Sequence, residues 1–104
     1  ILRVRMVDSM ILDANQQFIA MTGYISTLVI GQKHTTEFYL HPEDRQRARE
    51  QLLHSNELQN FEVQFRRRDG SAFWGLLSAR FDQESGCVDG VVADISDRKA
   101  VEAA

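Results

Sequence analysis

Residues 61–66 read Phe-Glu-Val-Gln-Phe-Arg, an alternation that sets Phe61, Val63 and Phe65 on one side of an extended chain and their polar neighbours on the other. A helix cannot gather such residues onto one narrow face, because its side chains turn by about 100° per residue and a strand's by about 180°. The segment is predicted to be a strand with one buried face. Asp69-Gly70-Ser71 then turns the chain into Phe73 to Phe81, and Glu84-Ser85-Gly86 turns it again into Cys87 to Ile95. The result is a run of long antiparallel strands whose apolar face needs a cover.

The rest of the chain can supply that cover. Leu2, Val4 and Met6 alternate with Arg3 and Arg5, which predicts a half-buried strand over residues 1–8, and Met10-Ile11-Leu12 forms its hairpin partner after Asp8-Ser9. Asn15 can cap a short helix through Phe18 and Met21 that ends at Gly23. The pattern from Ile25 to Phe38 is irregular and predicts one or two helical turns. His41-Pro42-Glu43-Asp44 starts a helix over residues 42–54, with Pro at the first position and carboxylates in the first turn. At 104 residues there is mass for one core, which assigns 1–95 to a single α+β domain. Residues 96–104 read as the start of a linker helix. The chain opens at Ile1 and closes inside that helix, so it reads as part of a longer protein, which could be membrane-anchored.

A net charge of −3 lacks the basic excess that binding nucleic acid requires. Arg66-Arg67-Arg68 precedes a turn and reads as the solvated end of a hairpin. The single cysteine, Cys87, excludes an internal disulfide and fits a reducing, cytoplasmic compartment. No apolar run approaches the ~20 residues of a membrane span, so no direct membrane contact is expected. Most carboxylates fall at turns and helix starts, and Cys87 with a histidine reads as a small filler rather than a nucleophile. No phosphate loop or helical metal pair is present, and no enzyme activity or metal site is expected of this chain.

In sequence order the chain carries Ile11-Leu12-Asp13-Ala14-Asn15 with Phe18, Met21-Thr22-Gly23-Tyr24, Ile30-Gly31, His41-Pro42-Glu43-Asp44-Arg45, Arg68-Asp69-Gly70-Ser71 with Trp74, and Asp94-Ile95-Ser96-Asp97-Arg98-Lys99. Over essentially its whole length it resembles the PAS domain family. The resemblance implies an α+β PAS fold, a five-stranded antiparallel sheet in the order 2-1-5-4-3 with small helices over one face. It departs from the family where a capping Ser and a following Glu are usual and Ile25 and Leu28 stand. That segment is expected to be mobile or covered by a neighbouring chain, with Ser26 as a substitute cap.

The function the resemblance implies is sensing. A cavity between sheet and helices would bind a small molecule or cofactor, and a dimer would pass the change to an output domain such as a histidine kinase or diguanylate cyclase, as in bacterial two-component signalling. Haem is disfavoured, because His34, His41 and His54 sit at helix ends or on the surface rather than inside the 42–54 helix. Covalent-adduct flavin is excluded, because Gln32 to Phe38 hold no cysteine. A non-covalent flavin or a small metabolite stays open. Strand parity nominates Phe61, Val63, Phe65, Phe73, Leu77 and Ala79 as lining, with Phe18, Met21, Phe38 and Leu52 from the helices. These bulky groups either line a cavity or fill it, and the filled case makes the chain a ligand-free dimerisation module.

The opposite parity places Trp74 and Leu76 on the outer sheet face. With Leu2 and Val4, or Met6, they are expected to form an apolar patch for a homodimer or a flanking helix. The family's exit motif falls on Asp94, Ser96 and Arg98, where the Asp and Arg are expected to pair and fix the angle of the output helix.

Overall fold

In the computed structural model, which describes residues 1–103, the alternating segment forms an edge of a five-stranded antiparallel sheet in the order β2-β1-β5-β4-β3. The strands are β1 (Leu2–Arg5), β2 (Ile11–Ala14), β3 (Glu57–Arg66), β4 (Ala72–Asp82) and β5 (Cys87–Asp94). Helices α1 (Gln16–Thr22) and α2 (Pro42–Ser55) separate β2 from β3, and α3 (Ser96–Ala103) follows β5. The α+β architecture and the strand order are those the resemblance implies. Among the described residues no helix is long and apolar enough to cross a membrane.

Local chemistry explains the helix ends. The Asn15 side chain accepts a hydrogen bond from the Phe18 amide at 3.0 Å, and α1 stops at Gly23, whose φ of 79° is left-handed. α2 begins at Pro42 with Glu43 and Asp44 in its first turn, and ends on Asn56 at φ 64°. Between the helices lie single 3₁₀ turns at Ser26–Leu28 and Thr35–Glu37. Residues 31–35 run beside β2, with Gly31 N donating to Ile11 O, Ile11 N to Lys33 O and Thr35 N to Ser9 O. That segment pairs the outer edge of a strand that would otherwise be open to other chains. Ser26 does not cap its turn. Ile25 holds the cap position without a side-chain hydrogen bond, and both Ile25 and Leu28 are exposed.

Two registers differ from simple alternation. In β3, Leu58 pairs with Ala79 but Phe61 pairs with Leu77, so one extra residue bulges out, with Asn60 at φ 52°. Without it Leu58, an even-numbered residue, would share the solvent face of Glu62 and Gln64. The bulge returns Leu58 to the core, where it is 1% exposed. In β1, Leu2 pairs with Gly90 and Val4 with Val88, so Leu2, Val4 and Met6 all point under the helices and are buried. The placement of Leu2 and Val4 in an outer dimer patch is therefore corrected. Arg3 occupies the outer face instead and holds Asp89 of β5 at 2.7 and 2.9 Å through two guanidinium nitrogens.

The core has an aromatic half. Phe18 and Tyr24 pack on Phe38 with ring centroids 5.4 and 5.3 Å away, and Phe65 packs on Tyr39 and Phe73 at 5.1 and 5.6 Å. Phe65 lies directly over Gly75 of β4, where an added Cβ would sit 2.5 Å from a ring carbon. Tyr39 and Phe73 fix that ring from both sides, so it cannot yield cheaply. Gly75→Ala is expected to cost about 1–3 kcal/mol by overpacking, read as a lower urea midpoint with an unchanged denaturant slope.

Candidate functional site

A cavity of about 70 Å³ lies between α2 and the inner faces of β1, β4 and β5. Its sheet side is apolar, made by Leu2, Val4, Met6, Leu77, Ala79 and Val88, with Gly90 giving depth. Its helix side is a single stripe of α2, Arg45, Ala48, Arg49 and Leu52, spaced as i, i+3, i+4 and i+7. Ser9, Thr35 and Tyr39 complete the rim.

The polar groups are held in place by neutral partners. Arg45 Nη2 donates to the Ser9 hydroxyl, and Ser9 is itself buried at a left-handed φ of 65°. Arg49 Nη1 donates to the Met6 carbonyl at 2.5 Å. Burial pushes the Tyr39 phenol up to about 12, against the opposing pull of Arg45. Tyr39 is therefore a neutral hydrogen-bonding group at every physiological pH.

Of the residues nominated as lining, the structure brings Leu77 and Ala79 from the strands and Leu52 from α2 to this cavity. Phe18, Phe38, Val63, Phe65 and Phe73 are buried in the packed aromatic half and do not line this cavity, while Met21 and Phe61 lie partly buried at its margin. The space they were expected to enclose is filled by Phe65 on Gly75. The β1 residues were missed because their parity was assigned to the wrong face. Arg45 and Arg49 could have been found, since the spacing with Ala48 and Leu52 was legible.

The cavity does not fit the larger cofactors. It has about half the ~150 Å³ that holds benzene, and is well below the ~300–1,000 Å³ typical of sites for drug-sized ligands, so a flavin ring system does not enter it. None of the histidines lines it. His34 heads the second 3₁₀ turn, its amide donating to Glu37 Oε2 at 2.9 Å, His41 Nε2 lies 3.2 Å from Gln64 Oε1, and His54 is exposed at the end of α2.

The exit from the sheet is built differently from the expected pair. Asp94 does not meet Arg98. Asp94 is still in β5, so the i, i+4 spacing that would join the two within a helix does not apply. Its Oδ1 accepts from the Ser96 amide at 2.9 Å, and its Oδ2 faces Arg67 Nη2 at 3.4 Å. The Arg67 side chain also donates to the Met21 and Ala72 carbonyls at 3.2 Å each and lies 4.7 Å over the Phe73 ring. Arg67 is thus not a solvated hairpin residue, whereas its neighbours Arg66 and Arg68 are exposed.

Trp74 and Ser96 stitch strand to helix. The Trp74 amide donates to the Ser96 hydroxyl at 3.0 Å, and the Ile95 amide donates to the Trp74 carbonyl at 2.9 Å. On the outer face Glu62 of β3 holds Arg98 at 3.0 Å and Lys99 at 2.7 Å, and Lys99 Nζ lies 4.6 Å over the Trp74 ring. The hydrogen bond from Lys99 lowers the Glu62 carboxyl from its ordinary 4.5. The carboxylate tether is thus complete above that value and is lost as pH falls through the lower one. Glu62→Gln at neutral pH is expected to speed amide exchange severalfold in residues 96–103 and leave β4 unchanged, and acidification of the unaltered chain through the lowered Glu62 value should loosen the same residues.

Comparison with known proteins agrees with this architecture. The PAS domain family matches residues 2–97. No curated protein matches the chain. Among solved structures, the LOV domain of a blue-light activated histidine kinase from Erythrobacter litoralis EL346 superposes with a TM-score of 0.76 at 19% identity, over 91% of this chain and 94% of that one. The PAS domain of an HTR-like protein from Haloarcula marismortui gives 0.73 at 26% identity, over 90% and 78%. That of the fruit-fly ELK potassium channel gives 0.70 at 20%, over 91% and 85%. With the family matched from the first strand to the exit helix, the chain belongs to the PAS domain family and is a PAS sensory domain.

Proposed function

We propose that the domain senses a small molecule in the cavity under α2 and relays its presence through β4 and β5 to α3. The observation that carries this reading is the connection of one cavity to one exit. Leu77 and Ala79 line the cavity from β4, which pairs residue by residue with β5 as far as Asp94. From Asp94 the path continues through Arg67 and Ser96 into α3. A ligand acts by favouring one setting of α2 against the sheet, and it shifts α3 only through a difference in affinity between the two settings. A small metabolite suits the volume better than a flavin. The lone, unpaired Cys87 fits a cytoplasmic location.

The output is an attached domain of histidine kinase or diguanylate cyclase type, and the working unit is a homodimer. Trp74, Leu76, Val91 and Ala93 support the dimer, because they lie together on the outer face of β4 and β5, with Val91 54% exposed. Trp74→Glu is expected to shift the chain from dimer to monomer in sedimentation velocity, and a variant that stayed dimeric would remove this face from the interface.

The packed aromatic half favours a second reading, a ligand-free dimerisation module. A thermal-shift screen of small polar and amphiphilic metabolites separates the two. Sensing predicts a class of compounds that raises the melting temperature and alters amide exchange in α3. In Asp94→Ala the compounds should still bind and the change in α3 should disappear. A flat screen would favour the structural module.

A further inference from the structure

Most of the arginines in this chain have a carboxylate partner: Arg3 has Asp89, Arg5 has Asp8, Arg47 has Asp44, Arg67 has Asp94, Arg80 has Glu57 and Arg98 has Glu62. Among the described residues Arg45, Arg49, Arg66 and Arg68 have none. Arg66 and Arg68 are exposed, where water suffices. Arg45 and Arg49 are half-buried, and both line the cavity. A guanidinium drawn partly out of water without a counter-charge is costly, and each carries five N–H donors. Arg45 gives Nη2 to the Ser9 hydroxyl and Arg49 gives Nη1 to the Met6 carbonyl and thioether, which leaves donors on both.

No Asp or Glu lines the cavity. Of the carboxylates adjacent to them in sequence, Asp44 is taken by Arg47 at 2.6 Å, and Glu50 is exposed and accepts from Gln46 Nε2 at 3.1 Å. Arg45 and Arg49 stand one turn apart on the same face of α2, the spacing at which two guanidiniums can flank one carboxylate. Beneath them the space is apolar and shallow.

We infer that the cavity takes a short-chain organic carboxylate, with its carboxylate held between Arg45 and Arg49 and an apolar tail of about three carbons against Val4, Leu77 and Ala79. The tail length follows from the volume, about 70 Å³ here against the ~150 Å³ that accepts the six carbons of benzene. Tyr39, at the rim, is a neutral group able to bond the second face of the carboxylate. Binding would draw α2 toward the sheet through its arginines, which gives the ligand the differential affinity that relay requires. The inference rests on the sensing reading above and names the ligand class for its cavity.

The test is a chemical-shift titration of the isotope-labelled chain with sodium butyrate and, at matched ionic strength, with its neutral isostere butyramide. Butyrate is expected to shift Ala48, Leu52, Ala79 and Gly90 and to bind about tenfold or more tighter than butyramide, a difference of at least ~1.4 kcal/mol. Arg49→Gln should bring butyrate down to the affinity of butyramide, and Arg49→Lys should recover part of the loss. The isostere comparison on the unaltered chain stands even if a variant fails to fold. Equal binding of the two compounds, or butyrate shifts confined to Arg66 and Arg68, would overturn the carboxylate assignment and leave sensing intact. If neither binds while other compounds in the thermal-shift screen stabilise the chain, the ligand class is wrong. If nothing binds in either experiment, the sensing reading falls with it.

Discussion

The contact of Phe65 with Gly75 divides the core in two. A benzene ring lying on a bare Cα fills the space over the inner face of β3 and β4, so the aromatic side chains from α1, the 3₁₀ segment and β3 close into a packed block. The remaining freedom lies where the opposing residues are short or branched: Val4, Ala48, Ala79, Val88 and Gly90. The cavity sits under α2 and against β1 because the other half is already full. Its small size and its arginine rim follow from that location, since among the described residues α2 is the one α-helix that presents side chains there.

Much of this fold was legible in the sequence, because period-two alternation, Asp-Gly turns, an Asn cap and a Pro-led helix are local signals with local causes. Residues 73–81 and 87–95 read as the strands they are within one residue, 61–66 read as only the second part of β3, which starts four residues earlier at Glu57, and Pro42 marked its helix to the residue. Face assignment for β1 was not legible. Leu2 and Val4 alternate with arginines whichever way the strand is turned, and only pairing with Gly90 and Val88 decides that they point inward. Nor could alternation place Leu58, since the Asn60 bulge breaks the parity that the rest of β3 obeys.

The candidate site was less legible for a related reason. Apolar side chains identify an inside, but they do not say whether that inside is filled. The difference lay in Gly75, whose missing side chain admits a ring from the neighbouring strand. The motif at Asp94 to Arg98 falls at a strand-to-helix junction, as read, and is wired differently. Asp94 and Arg98 find partners elsewhere because one ends a strand and the other begins a helix, and sequence spacing carries meaning only within one periodic element.

Glu62 holds two consecutive helical residues, Arg98 and Lys99, and Lys99 also covers Trp74. Consecutive residues project about 100° apart around a helix, so clasping both from one strand sets the rotation of α3 about its own axis as well as its direction. Val101 is thereby turned to solvent, 77% exposed. The sheet consequently transmits a helical phase, and a single inserted residue before Ser96 would change the face presented without changing the line along which the helix leaves.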